Sequence, residues 1–274
     1  MIRIDLHVHS VFSDGTCTPA EIVREARSKG IAVLALTDHD TIEGLREFAR
    51  ECARLQIRPV RGVELSACDP RTIHILGYRL DREEVIEEAL SWVIDRRNAR
   101  NREICKKLRE LGIDITIEVI ESEARGRVVS RPHFASWLVK NGHVPNTKAA
   151  FDRYLARGGA AYVRRDGLSP DECVRIVRES GGLPVLAHPS LTGLEGEALD
   201  DLIADLKDSG LWGLECISSH CSAEQTYGFI AAADRHGLFT TAGSDFHGKN
   251  RPGVTLGVQV SEDFIPWARL GVTM

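Results

Sequence analysis

Ile2-Arg3-Ile4-Asp5-Leu6-His7-Val8-His9 alternates strictly, with Ile2, Ile4, Leu6 and Val8 on one side and Arg3, Asp5, His7 and His9 on the other. A period of two is the period of a strand, so both histidines are expected on one face near its end. The arrangement recurs along the chain. A short apolar strand at 32–37 ends at Asp38-His39, 60–65 carries Glu64, 72–80 carries His74, 184–187 delivers His188, and 238–243 delivers Asp245 and His247. Thr18-Pro19-Ala20-Glu21 and Ser169-Pro170-Asp171-Glu172 are capping boxes with proline at the first helical position. Helices are expected from them to Gly30 and Gly181, and also at 41–56, 196–209 and 222–236, with a further strand at 212–217. Strands alternating with helices predict an α/β fold with a parallel sheet and right-handed crossovers. Polar side chains at successive strand ends predict a TIM-like barrel with its site on the top face. A doubly wound sheet also places its sites at strand C-termini, so barrel closure is an inference from the pattern.

Residues 83–163 break this rhythm. They read as a long charged helix at 83–111 followed by helices at 131–141 and 146–157. The expected organisation is a barrel from 1–82 and 164–274, with 83–163 as a helical insertion subdomain covering the site. A chain of 274 residues with 43% hydrophobic and 27% charged residues is that of a globular protein large enough for this plan. A net charge of -5 argues against a coat for duplex nucleic acid, which needs a basic face. Seven cysteines, odd in number and without a CxxC pair, do not make a disulfide framework or a zinc knuckle. Reduced thiols and a cytoplasmic location are expected. No leader pattern opens the chain and no apolar run approaches the roughly 20 residues that span a bilayer, so no membrane partner is expected. Phosphate-loop, dinucleotide and nucleophile-elbow motifs are absent from the strand-turn-helix contexts they require.

The candidate metal ligands are His7, His9, Asp14, His39, Glu64, His74, His188, Asp245 and His247. Neutral imidazole suits transition metals, and a carboxylate can bridge two ions. Glu64 lies in an apolar strand, where an unpaired charge would be costly, so it is the natural bridging group. Asp14 falls in Ser13-Asp14-Gly15, a turn sequence in its own right. In Asp38-His39-Asp40 the histidine is the better ligand, with Asp38 behind it and Asp40 as cap of the next helix. His236, before Gly237, suits a helix C-terminus electrostatically. Arg131, Arg164 and Arg165 are suited to bidentate phosphate binding. His133 and His220 are open between substrate contact and an ordinary structural role.

As an ordered set, His7-x-His9, Ser13-Asp14-Gly15, Thr37-Asp38-His39-Asp40, Gly62-Val63-Glu64, His74, Ala187-His188-Pro189 and Gly243-Ser244-Asp245-Phe246-His247 closely resemble the PHP (polymerase and histidinol phosphatase) family. Ser130-Arg131-Pro132-His133, Tyr162-Val163 and Ser219-His220 further resemble its stand-alone phosphoesterase branch, which includes nucleoside 3',5'-bisphosphate phosphatases and cyclic-phosphate hydrolases. The resemblance implies a distorted (β/α)7 barrel holding three divalent ions, often Mn2+, with Fe2+ or Zn2+ as alternatives. It places His7, His9, Glu64 and Asp245 on the first ion, Glu64, His74 and His188 on the second, and Asp14, His39 and His247 on the third. Related bisphosphate phosphatases tend to carry a histidine shortly after the Tyr-Val pair, where this chain has Arg164 and Arg165.

The activity expected is hydrolysis of a small phosphorylated metabolite, a nucleotide such as a nucleoside 3',5'-bisphosphate or a cyclic phosphate, by a metal-bridging hydroxide. Asp245 would orient the nucleophile and take its proton. His220, Arg131, His133 and Arg165 would bind phosphate, with His220 also a candidate for leaving-group protonation. A sugar phosphate is a further possible substrate. Histidinol phosphatase and short-oligonucleotide exonuclease activities share this chemistry. A metal-dependent amidohydrolase and a non-catalytic metal- or nucleotide-binding module are the alternatives from other classes.

Overall fold

The computed structural model describes residues 1–124, 129–164 and 166–273. Among them are eight strands: β1 (Ile2–Asp5), β2 (Val33–Leu36), β3 (Arg58–Ser66), β4 (His74–Tyr78), β5 (Leu183–Leu186), β6 (Gly213–Ile217), β7 (Phe239–Ala242) and β8 (Val258–Val260). The helices are α1 (Pro19–Ser28), α2 (Leu45–Leu55), α3 (Glu83–Glu110), α4 (Ile117–Ala124), α5 (Arg131–Lys140), α6 (Thr147–Ala150), α7 (Pro170–Glu179), α8 (Gly196–Asp208) and α9 (Ala223–His236). The expected capping boxes at Thr18 and Ser169 form, as do others at Ser130 and Ser222. Among the described residues no helix is long and apolar enough to cross a membrane.

The strands form one sheet in the order β7-β6-β5-β4-β3-β2-β1-β8. Beyond the regular strands the sheet curls back on itself. The Leu6 N–H donates to the Ala242 carbonyl at 3.1 Å, the Asp245 N–H to His7 at 2.9 Å and the His9 N–H to Phe246 at 2.9 Å. The result is a mixed, nearly closed barrel surrounded by helices, the α/β architecture expected.

Two features depart from the all-parallel expectation. β4 runs antiparallel to both β3 and β5, pairing Ser66 with His74 and Ile75 with Leu186. The link between β3 and β4 is too short for a crossover helix, so the chain turns back directly. His74 therefore opens its strand, beside the end of β3, and reaches the same rim as candidate ligands that close theirs. β8 is the second departure. It lies antiparallel beside β1 and has no counterpart in the expected strands.

The alternation read across Ile2–His9 also breaks. Ile4 and Leu6 pack in one apolar cluster with Val33, Val60, Leu76 and Tyr78, whereas Val8 packs in another with Ile22, Phe48 and Val63. The cause is Asp5, whose Oδ1 accepts the N–H of His7 at 3.2 Å and ends the regular strand. Ile4, Leu6, Leu76 and Tyr78 belong to the barrel interior. The Tyr78 hydroxyl donates across it to the Leu6 carbonyl at 2.8 Å. Ile265, Trp267, Leu270 and Val272 join that interior cluster from the C-terminal segment.

Contacts divide the chain into two compact units, Met1–Leu90 with Leu168–Met274, and Ser91–Gly167. The second has its own core, in which Ile104, Leu108, Ile120, Phe134, Leu138 and Leu155 are buried. α4 was not expected from the sequence, and the helix expected at 146–157 is a short α6 continued by a π-helical turn at Phe151–Leu155. In the first unit α2 begins at Leu45 rather than near Thr41, and Asp40 does not cap it. Asp40 instead accepts the Ser66 N–H at 2.8 Å, which ties the end of β2 to the end of β3.

Two glycines set the backbone around the strand ends. A Cβ on Gly243 would lie 2.3 Å from the His7 Cβ, and one on Gly15 would lie 2.3 Å from the His9 carbonyl oxygen. Both contacts are closer than atoms can approach, so Gly243→Ala should force β1 and β7 apart. A loss of about 1–3 kcal/mol is expected, read as a lower denaturant midpoint. An unchanged midpoint would refute this account of the seam.

The cysteines are free thiols. Burial pushes Cys52 up to about 12 and Cys105 up to about 11, so at pH 8 both hold their protons. Alkylation of the native protein at that pH is expected to spare them, with modification confined to the partly exposed Cys17, Cys68 and Cys221. Rapid labelling of Cys52 in the folded state would contradict the packing of α2.

Candidate metal centre

Glu64 has no exposed surface, and imidazoles meet both of its carboxylate oxygens. Oε1 takes His74 Nδ1 and His188 Nε2, each at 2.9 Å. Oε2 lies 3.0 Å from His39 Nδ1, 3.1 Å from His9 Nε2 and 3.2 Å from His7 Nε2. Asp245 Oδ1 approaches the same place, 3.2 Å from His9 Nε2 and 3.5 Å from His7 Nε2. Asp14 joins from its turn, with Oδ1 3.1 Å from His247 Nε2. These atoms form three overlapping groups: His7, His9, Glu64 and Asp245; His9, Asp14, His39 and His247; and His39, Glu64 and His74. His188 is outside these groups but shares Glu64 Oε1 with His74.

The donors fit divalent cations on an observation of their own. His7 Nε2, His9 Nε2, His247 Nε2, Glu64 Oε2, Asp14 Oδ1 and Asp245 Oδ1 are buried without a well-formed hydrogen bond. They lie close to one another but do not point along each other's bond directions. A buried polar atom left so is costly, and several of them converging describe ligands around ions. Mixed imidazole and carboxylate donors suit divalent transition metals.

The electrostatics agree. Burial would depress His7 and raise Glu64, yet both move the other way. The Glu215, Glu64 and Asp245 carboxylates raise His7 well above its ordinary range, and the surrounding histidines, His39 foremost, hold Glu64 well below the usual carboxylate range. His9, despite its burial, is raised to about 10 by Asp245 and Glu64. His39 goes the opposite way, to about 3, because desolvation outweighs the pull of Glu64 and Asp14. The cluster is therefore rich in buried negative charge that favours cations.

A surrounding layer orients these donors. Asp38 accepts the Ser10 N–H at 2.7 Å and the Ser10 and Ser13 hydroxyls at 2.6 Å each, and Ser13 Oγ lies 3.4 Å from His9 Nδ1. Asp5 accepts the Ser244 N–H at 2.8 Å, the Ser244 hydroxyl at 2.6 Å and the Gly257 N–H at 2.8 Å, and burial pushes its carboxyl up to about 6. His247 Nδ1 lies 2.8 Å from the Asp245 carbonyl, which directs Nε2 toward Asp14. The backbones of two candidate ligands are unusual as well. His188 has φ 26° and Asp245 φ 57°, in the left-handed region that side chains rarely adopt.

Three residues near the centre were not picked out by sequence reasoning. Glu215 is fully buried, with Oε1 3.0 Å from His7 Nδ1 and Oε2 accepting the His188 N–H at 2.7 Å. An irregularity in the β6–β7 register lies beside it. Its signal was present: a glutamate inside an apolar strand, the same signal that marked Glu64. Asp5 shared the polar side of the opening alternation with His7 and His9. Arg251 had no signal, being a loop arginine. It ion-pairs with Asp245 Oδ2, and its Nη1 lies 2.8 Å from His220 Nε2.

The remaining candidates are placed as follows. His220 Nε2 lies 2.8 Å from Asp245 Oδ2. Within the helical unit, Arg131 donates to the Val163 carbonyl at 2.7 Å and lies over the Tyr162 ring, while His133 Nδ1 accepts the Ser130 N–H at 3.0 Å. Arg165 lies outside the described residues. His236 ends α9 as expected, and its Nε2 lies 3.0 Å from Asp200 Oδ1, a partner the sequence did not indicate.

The PHP domain family model matches residues 5–152, more than half of the chain. A 3',5'-nucleoside bisphosphate phosphatase from Chromobacterium violaceum is 35% identical over 98% of this chain and 95% of its own length. A 5'-3' exoribonuclease from Haemophilus influenzae is 34% identical over 89% of this chain and 90% of its own. A phosphoribosyl 1,2-cyclic phosphate 1,2-diphosphodiesterase from Eggerthella lenta is 32% identical over 89% and 94%. Among solved structures, an amidohydrolase from C. violaceum with bound sulfate has TM-score 0.84 at 34% identity, covering 98% of this chain and 95% of its own. A protein from Bifidobacterium adolescentis assigned as a metal-dependent phosphoesterase has TM-score 0.80 at 31% identity, covering 94% and 92%.

Glu215 Oε1 lies beside His7 Nδ1, where it would hold the ring with Nε2 toward the other donors, so Glu215→Gln should lower metal affinity by roughly 10- to 100-fold without unfolding the barrel. Metal titration followed by calorimetry, with circular dichroism as the folding control, measures this. Wild-type affinity in the variant would remove Glu215 from the metal centre.

Proposed function

The chain belongs to the PHP domain family and is a phosphoesterase, and from that premise we propose that it hydrolyses a small phosphorylated nucleotide, first among them a nucleoside 3',5'-bisphosphate. The carrying observation is the set of overlapping, buried or partly buried donor groups around Glu64, in which His9, His39 and Glu64 are each shared between groups. Shared donors support several adjacent cations rather than one isolated ion. We assign three divalent ions to the centre, with Mn2+ preferred and Fe2+ or Zn2+ as alternatives. Their ligands are His7, His9, Asp14, His39, Glu64, His74, His188, Asp245 and His247.

Bound cations supply neutralisation of phosphoryl oxygens and a more acidic water for attack. The protein's own groups do the rest. Asp245 faces His7 and His9 with one oxygen and His220 with the other, so one carboxylate can orient the attacking water and take its proton. His220, at the partly exposed side of that carboxylate, is assigned to return a proton to the leaving-group oxygen. Asp38 holds the His9 side through Ser10 and Ser13 and touches no substrate. Arg131 and His133, by resemblance, and Arg165, by the chemistry of its guanidinium, are assigned to phosphate.

A second reading has a specific observation behind it. The H. influenzae relative is named as an exoribonuclease, and removal of a terminal nucleotide uses the same chemistry.

Two measurements test these proposals. Phosphate release by Mn2+-loaded protein is expected from a nucleoside 3',5'-bisphosphate at kcat/KM above roughly 10⁴ M⁻¹s⁻¹, and it should be abolished by a chelator. The panel includes nucleoside monophosphates and histidinol phosphate, read by phosphate release, and a sugar cyclic phosphate and a short oligonucleotide, read by chromatography of the ring-opened monoester and the released nucleotide. Preference for the oligonucleotide selects the second reading. Silence across the panel with metal bound would overturn both substrate assignments. Arg131→Ala should raise KM about tenfold or more, the scale of one charge-assisted hydrogen bond. Unchanged kinetics would remove Arg131 from substrate binding.

A further inference from the structure

Arg251 reaches the metal centre from a loop after β7 that is stitched to the site at several points. The Lys249 N–H donates to the Thr16 hydroxyl at 2.9 Å, and Asn250 Nδ2 donates to the Asp14 carbonyl at 2.6 Å. Farther on, the Gly257 N–H donates to Asp5 at 2.8 Å. The loop is thus fastened to the turn that carries Asp14 and to the carboxylate that ends β1.

At its centre the Arg251 guanidinium meets Asp245 Oδ2 and His220 Nε2 together. These contacts cannot all be satisfied at once. If His220 Nε2 carries its proton and donates to Asp245, it has no lone pair for the guanidinium. If it accepts from Arg251, it makes no hydrogen bond to Asp245. One of the three contacts is therefore not a hydrogen bond, and the most exposed partner is the one placed to leave. Asp245 is 1% exposed and His220 20%, while the Arg251 side chain is 31% exposed on a long stem. Cations held by the other Asp245 oxygen would also weaken the hold of that carboxylate on a guanidinium.

We propose that Arg251 is a phosphoryl-binding residue that leaves Asp245 and His220 to take the oxygens of the substrate phosphate and of the phosphate product. A guanidinium offers parallel N–H donors that match two oxygens of a tetrahedral phosphate. Its departure returns Asp245 Oδ2 and His220 to each other, so substrate binding completes the pair assigned to proton transfer. This assignment rests on the phosphoesterase reading and adds a residue to it.

The test uses the full Mn2+-loaded chain and inorganic phosphate as probe. Wild type, Arg251→Lys and Arg251→Ala are compared for metal content, for phosphate binding by calorimetry, and for kcat and KM on the best ester of the panel. Arg251→Ala is expected to keep its metal and thermal midpoint, to bind phosphate about 10- to 100-fold more weakly, and to lose kcat/KM at least as much. Arg251→Lys should recover part of the binding. Equal phosphate affinity in wild type and Arg251→Ala, both metal-loaded, would overturn the proposal. So would loss of metal in Arg251→Ala with phosphate binding restored at saturating Mn2+, since Arg251 would then only support Asp245. Failure of loaded wild type both to bind phosphate and to turn over any ester would instead sink the substrate reading, and this proposal with it.

Discussion

A carboxylate with no exposed surface, Glu64, is placed among five imidazoles at the top of a barrel. An ionised carboxylate alone in an apolar interior costs more than the few kcal/mol that hold a typical domain folded. The upper barrel is therefore organised around compensating it. Several strands that end nearby contribute donors, and three of these are aimed by something behind them: Glu215 for His7, Ser13 and Asp38 for His9, the Asp245 carbonyl for His247. Below, Ile4, Leu6, Leu76, Tyr78 and Val185 fill the interior with apolar contacts. The apolar floor gives rigidity, and the polar rim gives chemistry.

Much of this was legible because the signal was a conflict. A histidine or carboxylate directly after an apolar run has no reason to be there on packing grounds, and His7, His9, Glu64, His188, Asp245 and His247 announced themselves in that way. Glu215 carried the same conflict and passed unremarked within β6. Strand direction was less legible. A period of two says that 74–78 is a strand but not which way it runs, and only the short link after Ser66 hinted at the reversal. The left-handed backbone at His188 and Asp245 carried no compositional mark, since neither is glycine. Arg251 was illegible for another reason: a loop arginine gains meaning only from what the fold brings beside it.

The helical segment shows a different limit. Its long helix α3 was evident from length and charge, whereas α4, at Ile117–Ala124, has a short and weakly amphipathic sequence whose helicity depends on tertiary burial of Ile120 and Ala124. Local preference settles little in so short an element. The capping box at Ser130, completed by His133, shows how one side chain can be spoken for locally while the family pattern suggests a larger role.

The seam where Leu6–His9 meets Ala242–Phe246 joins the two ends of the chain, and the same few residues carry His7, His9 and Asp245. Contacts between such distant positions are among the slowest to form, because closing a long loop must precede any gain from it. The group of His7, His9, Glu64 and Asp245 is therefore incomplete in any partly folded chain, however well formed its individual helices. By contrast, Glu64 and His74 share a hairpin and need only a short loop closure to meet. Cation capture by the first group would thus act as a checkpoint at the end of folding, distinguishing finished barrels from nearly finished ones.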